Sequence, residues 1–256
     1  ATGWELCTYS CPSEEEIDYT NAPRATPVIH EGLVYVQGAW GNLHCLKLAT
    51  GELVWERNLA QDFGAEAPTW GYSAPPLVVD DKLIVVPGGR EASIVALDLR
   101  TGAVRWQTPG HAAAYAPLLA GSFGGRRQLV GYDVAGLAGW DVETGERLWG
   151  LIPRGQSDFN VTTPLVLGDA ILLATENNAT RLYGFGDDRT INPVPVAAKG
   201  VLGPDAGAPV GVSALVADPL GHVGAELARE LAYLAINVSL RRALQRDGGL
   251  RLAGAG

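Results

Sequence analysis

The amino-acid sequence lacks several features that mark particular classes of protein. Its 256 residues include no methionine, charged residues make up only 18%, and the formal net charge is −9. No apolar run reaches the roughly 18 residues of a membrane-spanning helix, so we expect no such helix. The acidic balance argues against binding to nucleic acid or anionic membranes. No signal peptide is recognisable. Without an initiating methionine, we expect a processed chain or a fragment of a longer one.

Cysteine and histidine are also scarce. The three cysteines are Cys7, Cys11 and Cys45, and the four histidines are scattered along the chain. Cys7 and Cys11 could pair in a disulfide, which would suit an exported protein. The alternative, which we favour, is that all three are free thiols. The cysteines and histidines show no zinc-ligand spacing, so we expect no metal site.

What the sequence does contain is a ten-residue pattern that occurs three times. A strand is followed by a Thr-Gly turn, a short strand, and a Trp four residues after the Gly. The copies are Thr50-Gly51 with Trp55, Thr101-Gly102 with Trp106, and Thr144-Gly145 with Trp149. Gly allows the positive φ of a tight turn, and the Thr hydroxyl can bond back to the turn backbone. Three copies in one frame predict a repeat protein.

A second marker runs in phase with the first. A proline precedes an apolar strand at Pro27, Pro76, Pro117, Pro164 and Pro209, with spacings of 49, 41, 47 and 45 residues. Proline suits the first residue of a strand, where its missing N–H breaks no ladder bond. The period fits one four-stranded propeller blade of roughly 40 to 50 residues.

These residues together resemble the pyrroloquinoline quinone (PQQ)-like β-propeller repeat. The Thr-Gly-x-x-x-Trp element is similar to that family's tryptophan-docking motif, in which the ring locks neighbouring blades together. The resemblance implies an all-β fold of four-stranded antiparallel blades. We expect about four to five blades in this chain, as part of an incomplete ring of seven or eight. It also implies a periplasmic or extracellular location.

The pattern divides the chain into three parts. Residues 1–25 are predicted to end a preceding blade and connect it to the next, and residues 26–206 to form the propeller blades. The set at 164–190 is weaker, because it lacks the Thr-Gly turn and the Trp. Residues 207–256 depart from the pattern, and their apolar spacing predicts a helix over about 223–246. The alternative is that this segment is not native coding sequence and is poorly ordered.

The sequence offers little that could carry chemistry. The resemblance to PQQ-dependent dehydrogenases implies adjacent cysteines, calcium ligands and an Asp base. The chain has no Cys-Cys pair, and no Asp can be matched to that base. Glu176, Asn177 and Asn178 could sit in any loop. We therefore predict no catalytic residues and no cofactor, and keep PQQ with calcium as the alternative.

The remaining aromatic residues are more informative. Trp140 replaces Leu in the third copy of the pattern, so we expect it to pack between blades. Trp70 and Tyr72 lie on a connection that leads into the first strand of a blade. Such loops face the axis or one rim of a propeller, where partners commonly bind. We predict that Trp70 and Tyr72 form part of a contact surface, the alternative being a loop packed on its own blade.

The function predicted from these observations is a non-catalytic binding or scaffold module in the bacterial cell envelope. A protein partner or a small ligand would bind the propeller rim. One alternative is a PQQ-dependent dehydrogenase-like protein or a remnant of one. Another is a sensor domain of a larger chain.

Overall fold

The chain folds into antiparallel β-sheets joined in sequence order. A computed structural model describes residue 9 and residues 23–152, 155, 158–175 and 177–199. The chain divides into two compact units, Ala1–Val196 and Ala197–Gly256. Cys7, Cys11 and the segment 207–256 lie outside the described residues, so the disulfide and helix predictions made for them stay predictions. Within the described part, no helix is long and apolar enough to cross a membrane.

The strands form four four-stranded sheets, here called blades 1 to 4 in chain order. Blade 1 contains β1 (Val28–His30), β2 (Leu33–Gln37), β3 (Asn42–Lys47) and β4 (Leu53–Asn58). Blade 2 contains β5 (Leu77–Val79), β6 (Lys82–Val85), β7 (Ile94–Asp98) and β8 (Val104–Thr108). Blade 3 contains β9 (Leu119–Phe123), β10 (Arg126–Asp133), β11 (Gly136–Asp141) and β12 (Arg147–Leu151). Blade 4 contains β13 (Leu165–Leu167), β14 (Ala170–Thr175), β15 (Ala179–Tyr183) and β16 (Ala197–Lys199). Each blade runs in simple order, so the predicted all-β fold of four-stranded antiparallel blades is confirmed.

The connection after blade 1 begins with a short helix, α1 (Leu59–Phe63). Asn58 caps its start by accepting from the Gln61 backbone N–H, and Gly64 ends it in the left-handed region at φ 59°. In blade 3, β9 extends through Phe123, and Gly124 and Gly125 form the turn that leads into β10.

The hydrophobic core lies between successive blades. One cluster joins Tyr35 and Leu43 of blade 1 to Leu83 and Val95 of blade 2. A second cluster joins blades 2 and 3, and it contains Trp140, which is 1% exposed. A third cluster joins blades 3 and 4. Blades 2 and 3 therefore bury apolar side chains against both of their neighbouring blades. This is the packing expected for a radial arrangement of sheets.

The three repeat Trp residues occupy the same position in their blades. Each lies on the fourth strand opposite a small residue of the third strand, and the pairs are Cys45 with Trp55, Ala96 with Trp106, and Gly139 with Trp149. The strand register shifts directly after each pair. A bulge at this point increases the local twist and re-aims the side chain.

Candidate functional site

Trp55 of blade 1 lies against the Thr-Gly turn of blade 2. Its indole Nε1 donates to the Leu99 carbonyl at 2.9 Å, and the side chain is 8% exposed. Gly102 has a φ of +67°, and a Cβ there would lie 2.8 Å from Cδ2 and Cε3 of Trp55. Arg57 Nε also donates to the Gly102 carbonyl at 3.0 Å. Glycine is therefore needed at this position for two reasons: the positive φ of the turn and the close approach of the Trp55 ring.

Trp106 of blade 2 makes the equivalent contact with blade 3. Its Nε1 donates to the Val142 carbonyl at 3.2 Å, and Val142 has the same place in its turn as Leu99. A Cβ on Gly145 would lie 2.5 Å from Cε3 of Trp106. Thr50 and Gly51 form the corresponding turn in blade 1, where Gly51 has a φ of +73°. The geometry supports a docking role for these turns and rings.

Trp149 of blade 3 has a different partner. Its Nε1 donates to Gln128 Oε1 at 2.7 Å, within its own blade. Blade 4 has no Thr-Gly turn, and Phe185 meets the Trp149 ring edge-on instead, at a centroid distance of 5.7 Å. Phe185 also stacks on Phe123 at 6.3 Å. The contact between blades 3 and 4 therefore uses packed aromatic rings in place of an indole-to-turn hydrogen bond.

The Thr-Gly turns of blades 2 and 3 are each ordered by a carboxylate. Asp98 Oδ1 accepts from the backbone N–H groups of Arg100 and Thr101 and from the Thr101 hydroxyl. The Thr101 hydroxyl and the ion pair with Arg105 lower the pKa of Asp98 to about 2. Asp141 binds the blade 3 turn in the same way. The carboxylate satisfies turn N–H groups and so fixes the surface that receives the Trp ring.

Three successive connections between blades bring aromatic rings together. Trp70 comes from the connection between blades 1 and 2, Tyr115 from the next and Phe159 from the one after that. The Trp70 ring lies 5.6 Å from the Tyr115 ring and 4.8 Å from the Phe159 ring, in an edge-on contact with the latter. Trp70 and Tyr115 are half-buried, while Phe159 is 47% exposed. We call these three residues the rim cluster.

Hydrogen bonds hold the rim cluster in place. The Ser73 hydroxyl donates to the Tyr115 carbonyl at 3.1 Å, and the Trp70 backbone N–H points to the Tyr115 hydroxyl at 3.5 Å. The Ala116 N–H donates to the Asn160 carbonyl at 2.9 Å, which ties the second connection to the third. The cluster is thus built from a cross-linked set of loops.

The structure separates the two residues predicted to form a contact surface. Tyr72 is only 3% exposed, and its hydroxyl donates to the Pro87 carbonyl at 2.8 Å. Burial raises the pKa of Tyr72 to about 12. Tyr72 therefore anchors its loop, and only Trp70 reaches the rim. The sequence pattern did not single out Tyr115 and Phe159. Like Trp70, however, each lies in a connection shortly before the proline that begins the next blade, and this shared position could have identified them.

The described residues do not match the ligand set that a quinone cofactor with calcium implies. Within residues 23–152, 155, 158–175 and 177–199, no group of three or more His, Cys, Asp or Glu side chains is placed to hold a metal ion. Cys45, the cysteine in this part of the chain, is a buried free thiol.

Comparison with known proteins decides the family. The family model PQQ_2, described as "Outer membrane protein assembly factor BamB", matches residues 2–202. The chain belongs to the PQQ_2 family. Among solved structures, the computationally designed Ika4 protein resembles this PQQ_2 chain over 72% of its length and all of Ika4, with a TM-score of 0.50 and 14% identity. BamB from Moraxella catarrhalis is 22% identical, with a TM-score of 0.46 over 66% of this chain and 48% of that one.

Curated relatives of this PQQ_2 chain include quinone-dependent enzymes. Quinohemoprotein alcohol dehydrogenase ADH IIB of Pseudomonas putida is 25% identical over 144 residues, which cover 52% of this chain and 21% of the relative. The 1-butanol dehydrogenase (quinone) of Thauera butanivorans is 28% identical over 141 residues, covering 49% of this chain and 22% of the relative. The chain thus spans about a fifth of the length of these relatives. The chain therefore matches a family model described as an assembly factor and is also similar, over about half of its length, to quinone-dependent alcohol dehydrogenases.

Proposed function

We propose that this chain is a non-catalytic binding or scaffold module of the bacterial cell envelope. Its partner is a protein segment that contacts the rim cluster of Trp70, Tyr115 and Phe159. The observation that carries the proposal is the convergence of three aromatic rings from three different connections on one rim. Aromatic side chains are enriched in the energetically dominant parts of protein interfaces.

The physical basis is a preorganised apolar surface. Phe159 exposes nearly half of its surface, and the same connection carries exposed Ile152 and Val161, at 72% and 57%. Exposed apolar side chains grouped on one connection are typical of interaction sites. Because the loops are hydrogen-bonded to one another, a partner does not need to order them first, which reduces the entropic cost of binding.

The first step of the test identifies the partner. A photo-crosslinking amino acid at Phe159 is expected to give a specific adduct with one envelope protein in living cells. The same amino acid at Val104, an exposed apolar residue on β8, serves as the matched control. Equal adducts at the two positions would contradict a rim-specific contact.

The second step measures affinity with the purified partner. Trp70→Ala is expected to weaken binding roughly 30-fold, because an aromatic anchor at an interface contributes about 2 kcal/mol or more. Val104→Ala should leave the dissociation constant unchanged. Isothermal titration calorimetry measures both. Equal affinity of Trp70→Ala and the unmodified chain would refute the assignment of the rim cluster.

A quinone-dependent dehydrogenase or its remnant is the second candidate, favoured by the similarity of about half the chain to alcohol dehydrogenases. The two functions are separated by adding PQQ with calcium and recording the quinone absorbance and dye-linked alcohol oxidation. A scaffold module leaves both unchanged. A saturable change in quinone absorbance together with dye reduction would favour the enzyme.

A further inference from the structure

A small cavity lies between blades 3 and 4. It is lined by residues of β10, β11, β12, β14 and β15, by Asn178 just before β15, and by Asn160 from the connection between blades 3 and 4. Its volume is about 20 Å³. A water-sized group needs roughly 10–15 Å³ on this measure, so the cavity can take one oxygen atom with its hydrogens.

Two buried polar atoms of the lining residues have no hydrogen-bond partner among the described residues. They are the Tyr132 hydroxyl and Asn160 Oδ1, on side chains that are 4% and 5% exposed. Buried polar groups in folded proteins are nearly always hydrogen-bonded, to protein or to a bound molecule. Two such atoms at one cavity therefore point to a ligand.

The orientation of Asn160 is fixed by its other contacts. Its backbone has a φ of +53°, in the left-handed region that Asn tolerates better than most residues. Its Nδ2 donates to the Asp133 carbonyl at 3.1 Å, and its own carbonyl accepts from Ala116. This bond fixes the orientation of the amide, and its oxygen can only accept. A ligand here needs a hydrogen-bond donor.

The charges around the cavity favour a neutral ligand. Burial opposes ionisation of the nearby Asp158, but hydrogen bonds from Thr175, Asn178 and Asn177 outweigh it and lower the pKa of Asp158. Arg181 lines the cavity and supplies the opposite charge. Burial, followed by the Asp158 charge, raises the pKa of Tyr132, so its hydroxyl stays protonated and can both donate and accept.

We propose that this cavity binds one water molecule that bridges Tyr132 and Asn160. The water donates to Asn160 Oδ1 and shares a hydrogen bond with the Tyr132 hydroxyl. Leu137, Leu151 and Leu173 form the apolar part of the wall. The bound group connects β10 of blade 3 to the connection that carries Phe159.

Crystals grown without polyol and crystals soaked in ethylene glycol test the ligand directly. Electron density for a single oxygen atom within hydrogen-bond distance of both Tyr132 Oη and Asn160 Oδ1 is expected in both. Extended density after soaking, or absence of density in both crystals, overturns the proposal.

Thermal unfolding of variants gives an independent test. With a bound water molecule, Tyr132→Phe loses a hydrogen bond and its Tm falls by about 2–4 °C, the shift for about 1 kcal/mol in a chain of this size. Tyr35→Phe is the matched control, since Tyr35 donates to the Leu99 carbonyl and its loss lowers Tm with or without a ligand. An unchanged or higher Tm for Tyr132→Phe overturns the proposal, because it means that only an unpartnered hydroxyl was removed.

A double variant shows whether one molecule links the two side chains. Tyr132→Phe and Asn160→Gly, where Gly keeps the positive φ, both remove contacts to the same water molecule. Their combined fall in Tm is therefore expected to be smaller than the sum of the single falls. Additive falls overturn the bridging geometry.

Discussion

Replacing Gly102 with Ala tests the contact between blades 1 and 2. Gly102 has a φ of +67°, and a Cβ would lie 2.8 Å from two atoms of the Trp55 ring. Gly32 is the matched control, since it has a φ of +76° and no atom within 4 Å of its Cβ position. Both substitutions place an L-residue in the left-handed region, at a cost of about 1 kcal/mol.

Only Gly102→Ala also displaces the Trp55 ring. Overpacking of a tight contact costs about 1–3 kcal/mol, and loss of the indole hydrogen bond to Leu99 costs about 1 kcal/mol. Movement of the Trp55 ring relieves part of these two costs. We therefore expect Gly102→Ala to lower the free energy of unfolding by about 2 kcal/mol more than Gly32→Ala. Trp55→Phe should be less harmful in the Gly102→Ala background than alone, since the smaller ring makes room for the methyl group.

Urea unfolding followed by circular dichroism measures these differences for all four variants. The reasoning is refuted if Gly102→Ala and Gly32→Ala have the same free energy of unfolding within about 0.5 kcal/mol, the usual size of an indifferent surface change.

Three further predictions concern single side chains. Trp149→Phe leaves buried Gln128 Oε1 without its donor and should cost about 2 kcal/mol in urea unfolding, and a neutral effect would contradict the bond. The Thr101 hydroxyl contributes most to lowering the pKa of Asp98 to about 2, so this stabilisation is present above pH of about 4 and lost as pH falls toward 2. Asp98→Asn should make the urea midpoint depend less on pH across that window. An unchanged dependence of the midpoint on pH would count against this assignment. Burial raises the pKa of Cys45 to about 11. Because the thiolate is the reactive form, the Cys45 thiol should resist Ellman's reagent at pH 8 until the chain unfolds. Rapid labelling of the native chain, seen by mass spectrometry, would disagree.

The blades could be predicted from the sequence because their signals are local. A Thr-Gly turn followed by Trp fixes a hairpin through positive φ and short-range hydrogen bonds, as at Gly102 and Gly145. The burial of Trp140 followed from its place in the repeat frame. The partner of Trp149 could not be predicted, because it depends on what blade 4 presents in place of the missing turn.

The rim cluster was only partly predictable, because it too depends on contacts between distant parts of the chain. Trp70 and Tyr72 are two residues apart and both aromatic, yet one reaches the rim and the other packs under the loop against Gly41. That choice is made by the surrounding backbone and not by the local pattern. The contact of Trp70 with Tyr115 and Phe159 joins residues from three connections that are far apart in the sequence. No short-range sequence pattern predicts which of these residues meet.

The docking geometry has a consequence for how such chains can lengthen. Blade 2 carries both an indole that projects forward and a turn that receives the indole of the blade before it. A duplicated copy of that segment would arrive with both halves of its contact already matched, so modules of this type can be added in tandem without inventing a new interface. Blade 4, which offers Phe185 instead, is not interchangeable with the others.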